Sequence, residues 1–493
     1  MDYSQFLAMK QEICLLVVFL LVFLYDIFAS RNAQRGIGIF TCVLFALVTA
    51  FGFMCSACPC SSSCEVSAFA GMYVSTPVIL AIKNILNVGT LIVLVQSLKW
   101  NSSDAQAMRR GEFYDLLLVT LFGMYLMISA RHFLLFVIGL EAASLPLAAM
   151  VAFDKNRYES HEAAVKYILT AVFSSAVFMM GLSFVYGLTG TLYFAGVASA
   201  LSVSNVSTML IVALAFVIAG VGFKLSLVPF HLWTADVYQG APTSVTSYLS
   251  VISKGAAAFA FLVIMTQVFG TVYSQVWEWM LYALIILTIT VGNLFALRQT
   301  NMKRFLAFSS ISQAGYIMLG VIAFNATGMA SLMYYILVYI FSNLAAFGVI
   351  QAIENKTGKV DMTDYNGLYK TNPHLAFTMM LAMFSLAGIP PFAGFFSKFF
   401  IFTGALAQGS IAIYVLVLIA LINTIISLFY YLMVVKAMFI NQDECVIANF
   451  RSACSERLGM WICVAGIVGL GLVSCFYNYL LAMSERLGLG SLM

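Results

Sequence analysis

A chain of 493 residues that is 62% hydrophobic and only 9% charged, with mean hydropathy +0.99, is excluded from the soluble globular class, whose members are about one quarter charged. Apolar stretches of roughly 20 residues recur from end to end, each long enough to cross a hydrocarbon core of ~30 Å as a helix, so the chain reads as a polytopic membrane protein. The net charge of +4 is small and dispersed, which gives no basis for nucleic-acid binding.

In chain order, the stretches predict fourteen spans: 12–29, 37–54, 72–98, 113–130, 132–152, 162–186, 205–229, 241–268, 276–297, 302–324, 329–352, 373–401, 411–437 and 458–482, with boundaries good to about ±2–4 residues. The first runs to Asp26 without a small-residue cleavage site, so it is expected to be a span rather than a removed signal. Sixteen Lys and Arg residues fall in connections after odd-numbered spans, and Arg131 alone falls in one after an even-numbered span. Basic residues stay on the inner face of a membrane, so both termini are expected outside, on the periplasmic face of a bacterial inner membrane. The outer connection after the second span carries "CSACPCSSSC", with Cys55, Cys58, Cys60 and Cys64. Outside the cell thiols oxidise, so at least one disulfide is expected there, with a metal site as the alternative.

Five lysines lie within spans: Lys83, Lys166, Lys224, Lys254 and Lys398. Each costs about 2.5–3.5 kcal/mol at mid-membrane, so five are not retained by chance. Burial penalises the ammonium form and a nearby carboxylate favours it, so a Lys–Glu pair whose separation changes can switch a proton. Asp26, Glu141 and Glu162 are the acidic residues singled out inside or at the edge of spans. Glu162 and Lys166 are four apart, the spacing of an ordinary helical ion pair. Lys83, beside Asn84 and Asn87, fits either a structural or a functional role, whereas Lys224, Lys254, Lys398 and Glu141 have no partner on their own helix and point to function.

Helix breakers stand near three of these lysines. Pro229 follows Lys224, Gly255 follows Lys254, and "GIPPFAGFFSKFF" places Gly388, Pro390, Pro391 and Gly394 before Lys398. Broken helices at membrane depth line cavities or ion sites. Ser226 and Thr234 are candidates to satisfy the backbone groups released at the first break. His231, about two turns beyond Lys224, is a candidate proton relay. The seventh and twelfth spans are both proline-broken and lysine-bearing and lie five apart, which predicts two inverted five-helix repeats. The expected organisation is a three-helix region over 1–112, repeats over 113–268 and 269–437, and a last loop and helix over 438–493. No phosphate loop, dinucleotide fingerprint or HExxH motif is present, so no cofactor or metal is expected on this chain.

The segments "GLEAASLPLAAMVAF", "SHEAAVKYILTAVFSSAVFMMGLSFVYGLTGT", "GVGFKLSLVPFHLWTADVYQGAPTSVTSYLSVISKGAAAFA", "RQTNMKRFLAFSSISQAGYIMLG" and "DYNGLYKTNPHLAFTMMLAMFSLAGIPPFAGFFSKFFIF" resemble the antiporter-like membrane subunits of respiratory complex I, over about residues 110 to 435. The resemblance implies an all-α membrane protein of about fourteen helices with helices seven and twelve broken. It implies a mid-membrane proton relay of Glu141, Lys224, Lys254 and Lys398, with Glu162, Lys166 and His231 on the same axis. It also implies the partners: a neighbouring antiporter-like subunit, small membrane subunits and the bilayer, with FMN, iron–sulfur clusters and quinone held by other subunits. A component of a multisubunit sodium/proton antiporter, a subunit of a ferredoxin- or hydrogenase-linked relative, and a non-pumping scaffold are the alternatives.

Overall fold

The computed structural model describes residues 3–29, 33–57, 66–102, 109–203, 207–272, 276–441, 447–473 and 475–485. Its helices are α1 (Lys10–Phe28), α2 (Ile37–Ala57), α3 (Pro77–Asn101), α4 (Arg110–Ser129), α5 (Phe133–Val151), α6 (Tyr158–Thr189), α7 (Phe194–Val203), α8 (Thr208–Leu225), α9 (Leu232–Gly240) and α10 (Thr243–Tyr248). They continue as α11 (Lys254–Gln267), α12 (Glu278–Ala296), α13 (Met302–Ile322), α14 (Ala326–Thr357), α15 (Leu368–Thr371), α16 (Pro373–Ala387), α17 (Ala393–Leu406), α18 (Ile411–Phe439), α19 (Cys454–Leu472) and α20 (Cys475–Glu485). Thirteen helical segments among the described residues are long and apolar enough to cross a membrane, with α10 and α11 forming one of them. The expected twelfth span is the remaining case, built from α16 and α17, each too short alone.

Three segments form the centre: the apolar stretches of 243–267, α13 and α14 are buried, while α1, α6 and α18 show most of their surface outward. A helix apolar all round is stable only inside such a bundle or in lipid, and both environments are used here. Glycines set the closest approaches. A Cβ on Gly123 would meet the backbone of Ala143 at 2.4 Å, and one on Gly139 would meet that of Met127 at 2.6 Å, so α4 and α5 pack backbone to backbone as small residues allow between membrane helices.

Both breaks are built alike. α8 ends at Ser226 in a left-handed conformation (φ 60°), with Ser226 N–H donating to Phe223 O and Leu227 N–H to Gly222 O at 2.8 Å. α16 ends at Gly388 (φ 88°), with Gly388 N–H donating to Ser385 O and Ile389 N–H to Phe384 O at 3.0 Å. This pair of bonds satisfies the last carbonyls of a helix without continuing it. The third residue after each turn is a proline, Pro229 or Pro391, following a cis peptide bond. Gly394 then has to be glycine, because a Cβ there would lie 1.7 Å from Ser385 O.

The structure differs from expectation in four places. Residues 73–75, expected in the third span, pair antiparallel with 66–68 as a two-strand hairpin, because Thr76 caps the helix at Ile79 N–H and Pro77 starts it. α7, in a stretch expected to be a connection, is short and lays Phe194, Val197 and Leu201 inward. The last apolar stretch, expected as one span over 458–482, is α19 followed by a separate α20, whose Tyr477 stacks on Phe400. Gly255 does not interrupt its helix; the irregularity is a π-turn at Leu249–Ser253 immediately before Lys254, and Gly255 instead admits Ile336, which a Cβ would meet at 2.9 Å. The Cys55–Cys64 cluster lies outside what can be described: residues 58–65 are not among the described residues, and of Cys55 only the backbone is.

Candidate functional site

Lys224, Lys254 and Lys398 are all buried, and each donates to neutral oxygen. Lys224, two residues before the left-handed Ser226, donates to Ser144 Oγ at 2.6 Å, and Ser144 in turn donates to Leu140 O on α5. Lys254, just past the π-turn, donates to Ser310 Oγ of α13 at 2.8 Å and lies 5.4 Å from the centre of the Tyr238 ring. Lys398, on α17, reaches back across the break to the carbonyls of Leu386 and Ala387, both at 2.9 Å. Those carbonyls close α16, so the ammonium sits at the negative end of a helix dipole. No carboxylate forms an ion pair with any of the three within 4 Å among the described residues.

The other buried lysines behave differently. Lys83 forms an ion pair with Glu12, and both also bond Tyr73 Oη. Lys303 pairs with Glu354, which also takes Arg157. Glu12, the first residue of the expected first span, was not singled out in the sequence. A buried pair broken on one side costs about 3–5 kcal/mol, whereas an apolar replacement of both partners is often tolerated. Lys83→Met is therefore expected to lower subunit abundance, and adding Glu12→Gln to recover much of it, as quantitative immunoblotting of membranes would show.

Glu141 stands one helical turn before Ser144, close enough for its charge to act on Lys224, but its Oε1 is buried without a hydrogen-bond partner. The buried Oη of Tyr167, Oγ of Ser226, Oγ1 of Thr234 and Nδ1 of His231 also lack protein partners. Ser226 and Thr234 therefore do not satisfy the broken backbone, as the sequence suggested. Thr288 Oγ1 accepts from Val228 N–H at 3.0 Å and Trp233 Nε1 donates to Phe223 O at 3.1 Å in their place. Unsatisfied buried polar groups cost about 1–3 kcal/mol each, so this concentration at the α8–α9 break marks a place that draws in water. His231 is half-buried at the start of α9; the chain is not helical between it and Lys224, so the two do not share a helix face.

Polar groups continue between Lys254 and Lys398. Gln313, one turn beyond Ser310, donates to Tyr431 Oη at 3.1 Å and approaches Leu386 O, the carbonyl that Lys398 also holds; Tyr335 donates to Gln313. Behind the π-turn, Asn343 of α14 donates to Ser250 Oγ at 2.9 Å and to Tyr339 Oη. None of these was legible beforehand, although "SSISQAGY" on an apolar helix was the available signal.

Glu162 and Lys166 are not on this line. Lys166 is 41% exposed and bonds both Glu162 and Asp236 at 2.7 Å, and Asp236 also takes Arg304. Burial works against the charge of Asp236, but the bonds from Lys166 and Arg304 outweigh it and hold this carboxyl below its usual range. A depressed carboxyl contributes stability above its unfolded value of about 3.9 and loses it as pH falls through the folded value. Asp236→Asn is therefore expected to cost under about 1 kcal/mol, solvent-screened, and equally at pH 6 and pH 8, in thermal denaturation of the purified assembly.

No group of three or more His, Cys, Asp or Glu residues able to hold a metal occurs among the described residues. A helix bundle with two broken spans and buried, carboxylate-free lysines strung across it is an antiporter-like membrane protein. Residues 130–427 match the family described as NADH:quinone oxidoreductase/Mrp antiporter, TM, and the NADH-quinone oxidoreductase subunit N of Phocaeicola vulgatus is 52% identical over 97% of this chain and 99% of its own length. The chain belongs to the NADH-quinone oxidoreductase subunit N family. A subunit N from Azobacteroides pseudotrichonymphae is 51% identical over 98% of this chain and 99% of its own. A chain of respiratory complex I from Thermus thermophilus, solved with bound aureothin, superimposes with a TM-score of 0.78 at 31% identity, over 94% of this chain and 97% of that one. A chain of the Mrp complex from Dietzia sp., at 21% identity and a TM-score of 0.83 over 99% of this chain and 97% of that one, shares the fold.

Proposed function

We propose that this chain is a proton-translocating membrane subunit of a bacterial NADH–quinone oxidoreductase, moving protons along Glu141, Lys224, His231, Lys254 and Lys398 while other subunits hold the FMN, iron–sulfur clusters and quinone. One observation carries the reading: the buried lysines divide into those tied to carboxylates, Lys83 and Lys303, and those held only by hydroxyls or carbonyls, Lys224, Lys254 and Lys398. An ammonium fixed by a buried carboxylate cannot leave its charge without orphaning the partner, whereas one held by neutral oxygen can give up its proton and leave the hydroxyl or carbonyl satisfied by other bonds. Quinone reduction elsewhere in the assembly changes the charge at one end of the line. That shifts Glu141 relative to Lys224, and the proton moves by way of His231, water and Ser310 to Lys254 and on to Lys398. Such groups titrate together, so the direction belongs to the chain of sites and not to one residue.

The matching turns at Ser226 and Gly388 support two inverted repeats, over 113–268 and 269–437, flanked by a three-helix region (1–112) and a last loop and helix (438–493). The lysine precedes the break in the first half and follows it in the second, and since the two spans run in opposite directions both lysines stand on the outer side of their breaks in this reading. Glu162 and Lys166, exposed beside Asp236, suit the contact with a neighbouring membrane subunit better than the interior line. Both termini lie on the periplasmic side of the inner membrane in this reading.

Purification of the assembly from membranes tests it. The chain is expected to co-purify with flavin and iron–sulfur subunits, and inverted vesicles to acidify on NADH addition; recovery free of redox subunits, with sodium/proton exchange intact, overturns it. A cysteine placed beside Lys359 is expected to react with an impermeant reagent only in inverted vesicles, and labelling in sealed cells would overturn the topology.

A further inference from the structure

On the face that carries the arginine- and lysine-rich connections, the start of α16, the strand of chain before α19 and the first turns of α19 enclose a cleft of about 770 Å³. Arg451, Arg457 and His374 line it together with the apolar Phe377, Leu381 and Val464. The cleft is a built feature: Asn372 spans it, accepting from Phe450 N–H at 3.1 Å and donating to Ala448 O at 3.1 Å. With Asn372 used in this way, α16 has no side-chain cap, and Pro373, His374 and Leu375 at its start line the cleft. Arg457 Nε is buried without a hydrogen-bond partner, and neither Arg451 nor Arg457 forms an ion pair among the described residues. No carboxylate lines the cleft among those residues. Trp461, one turn after Arg457, is 65% exposed, as an aromatic side chain at a headgroup boundary is.

We infer that this cleft binds an anionic phospholipid of the inner leaflet. Its phosphodiester would sit between Arg451, Arg457 and the amide end of α16, with an acyl chain running over Phe377, Leu381 and Val464. Three features select that ligand together. Two guanidinium groups and a helix N-terminus match a phosphate in charge and donor geometry. A basic pocket between membrane helices on the inner face is where anionic headgroups concentrate. The apolar side chains beside the arginines match an acyl chain, which a free anion would leave uncovered.

The test uses the intact assembly in lipid nanodiscs containing photoreactive phosphatidylglycerol or photoreactive phosphatidylcholine, with crosslinks mapped to peptides spanning 447–464. Phosphatidylglycerol is expected to label this segment about tenfold more than phosphatidylcholine, with inorganic phosphate in millimolar excess having no effect. Arg451→Gln with Arg457→Gln is expected to abolish the preference in assemblies of normal subunit content, and Arg451→Lys with Arg457→Lys to retain part of it. Equal labelling by the two lipids overturns the inference. So does competition by inorganic phosphate, which would make the site one for a free anion, and so does an unlabelled segment, which would mean that another subunit covers it. The wild-type comparison decides the question even where the double glutamine variant fails to assemble.

Discussion

Lys254→Met is expected to leave the assembly at normal abundance while proton pumping falls to less than about a tenth of wild type, the scale on which a positioned proton carrier contributes being about 10²–10⁴-fold. Lys254 is the central amine of the line, on a helix with no outward face, and the phenol of Tyr238, which is also bonded to Ser310, carries no ammonium. Methionine fills a similar volume and brings no charge to bury, so the substitution is neutral or mildly stabilising for the fold. Ser310 keeps its bond to Ala307 O at 2.9 Å and is not orphaned. Quinone reductase activity should fall with pumping if the two are coupled. The measurement is acidification of inverted vesicles beside NADH oxidation and immunoblots; normal pumping in abundant Lys254→Met assemblies would remove Lys254 from the path.

The sequence made the charges legible and their partners illegible, for a physical reason. An ammonium in an apolar span stands out against a cost of about 2.5–3.5 kcal/mol, so Lys224, Lys254 and Lys398 were visible individually. Proline and glycine made both breaks visible, because few residues tolerate a left-handed turn or a missing amide. Serine in a membrane helix carries no such signal, since its hydroxyl bonds its own helix at little cost, and Ser144 and Ser310 do bond back to Leu140 and Ala307. Which serine meets a lysine depends on how α5 packs on α8 and α13 on α11, and no local pattern encodes that. The π-turn before Lys254 has no composition of its own, while the glycine after it looked like a breaker and proved to be a packing position. Glu162 and Lys166 were placed on the axis by the resemblance, whereas their spacing marked only an ordinary helical ion pair, and neither says which way the pair faces.

The hydroxyl partner of Lys224 sharpens what its substitution should do. If Lys224 carries a proton under the influence of Glu141, Lys224→Ala leaves an assembled, poorly pumping complex, because Ser144 still donates to Leu140 O and a small apolar residue is easily buried. Lys224→Arg is expected to impair pumping comparably, about tenfold or more, because a guanidinium keeps its proton at any relevant pH and cannot complete the cycle. Glu141→Gln keeps the shape and removes the charge, and should lower pumping without loss of subunit. Ser144→Ala takes away the oxygen 2.6 Å from the ammonium, a loss of about 1–3 kcal/mol borne mainly by the charged form, so it should shift the pH dependence of pumping rather than abolish it. A purely structural Lys224–Glu141 pair behaves in the opposite order. Arginine would then substitute acceptably, whereas alanine would strand Glu141, whose Oε1 already lacks a partner, at about 3–5 kcal/mol and with loss of the subunit. Pumping, quinone reductase activity and subunit abundance measured on the four variants separate the two, and normal pumping by an abundant Lys224→Arg assembly would decide against the relay.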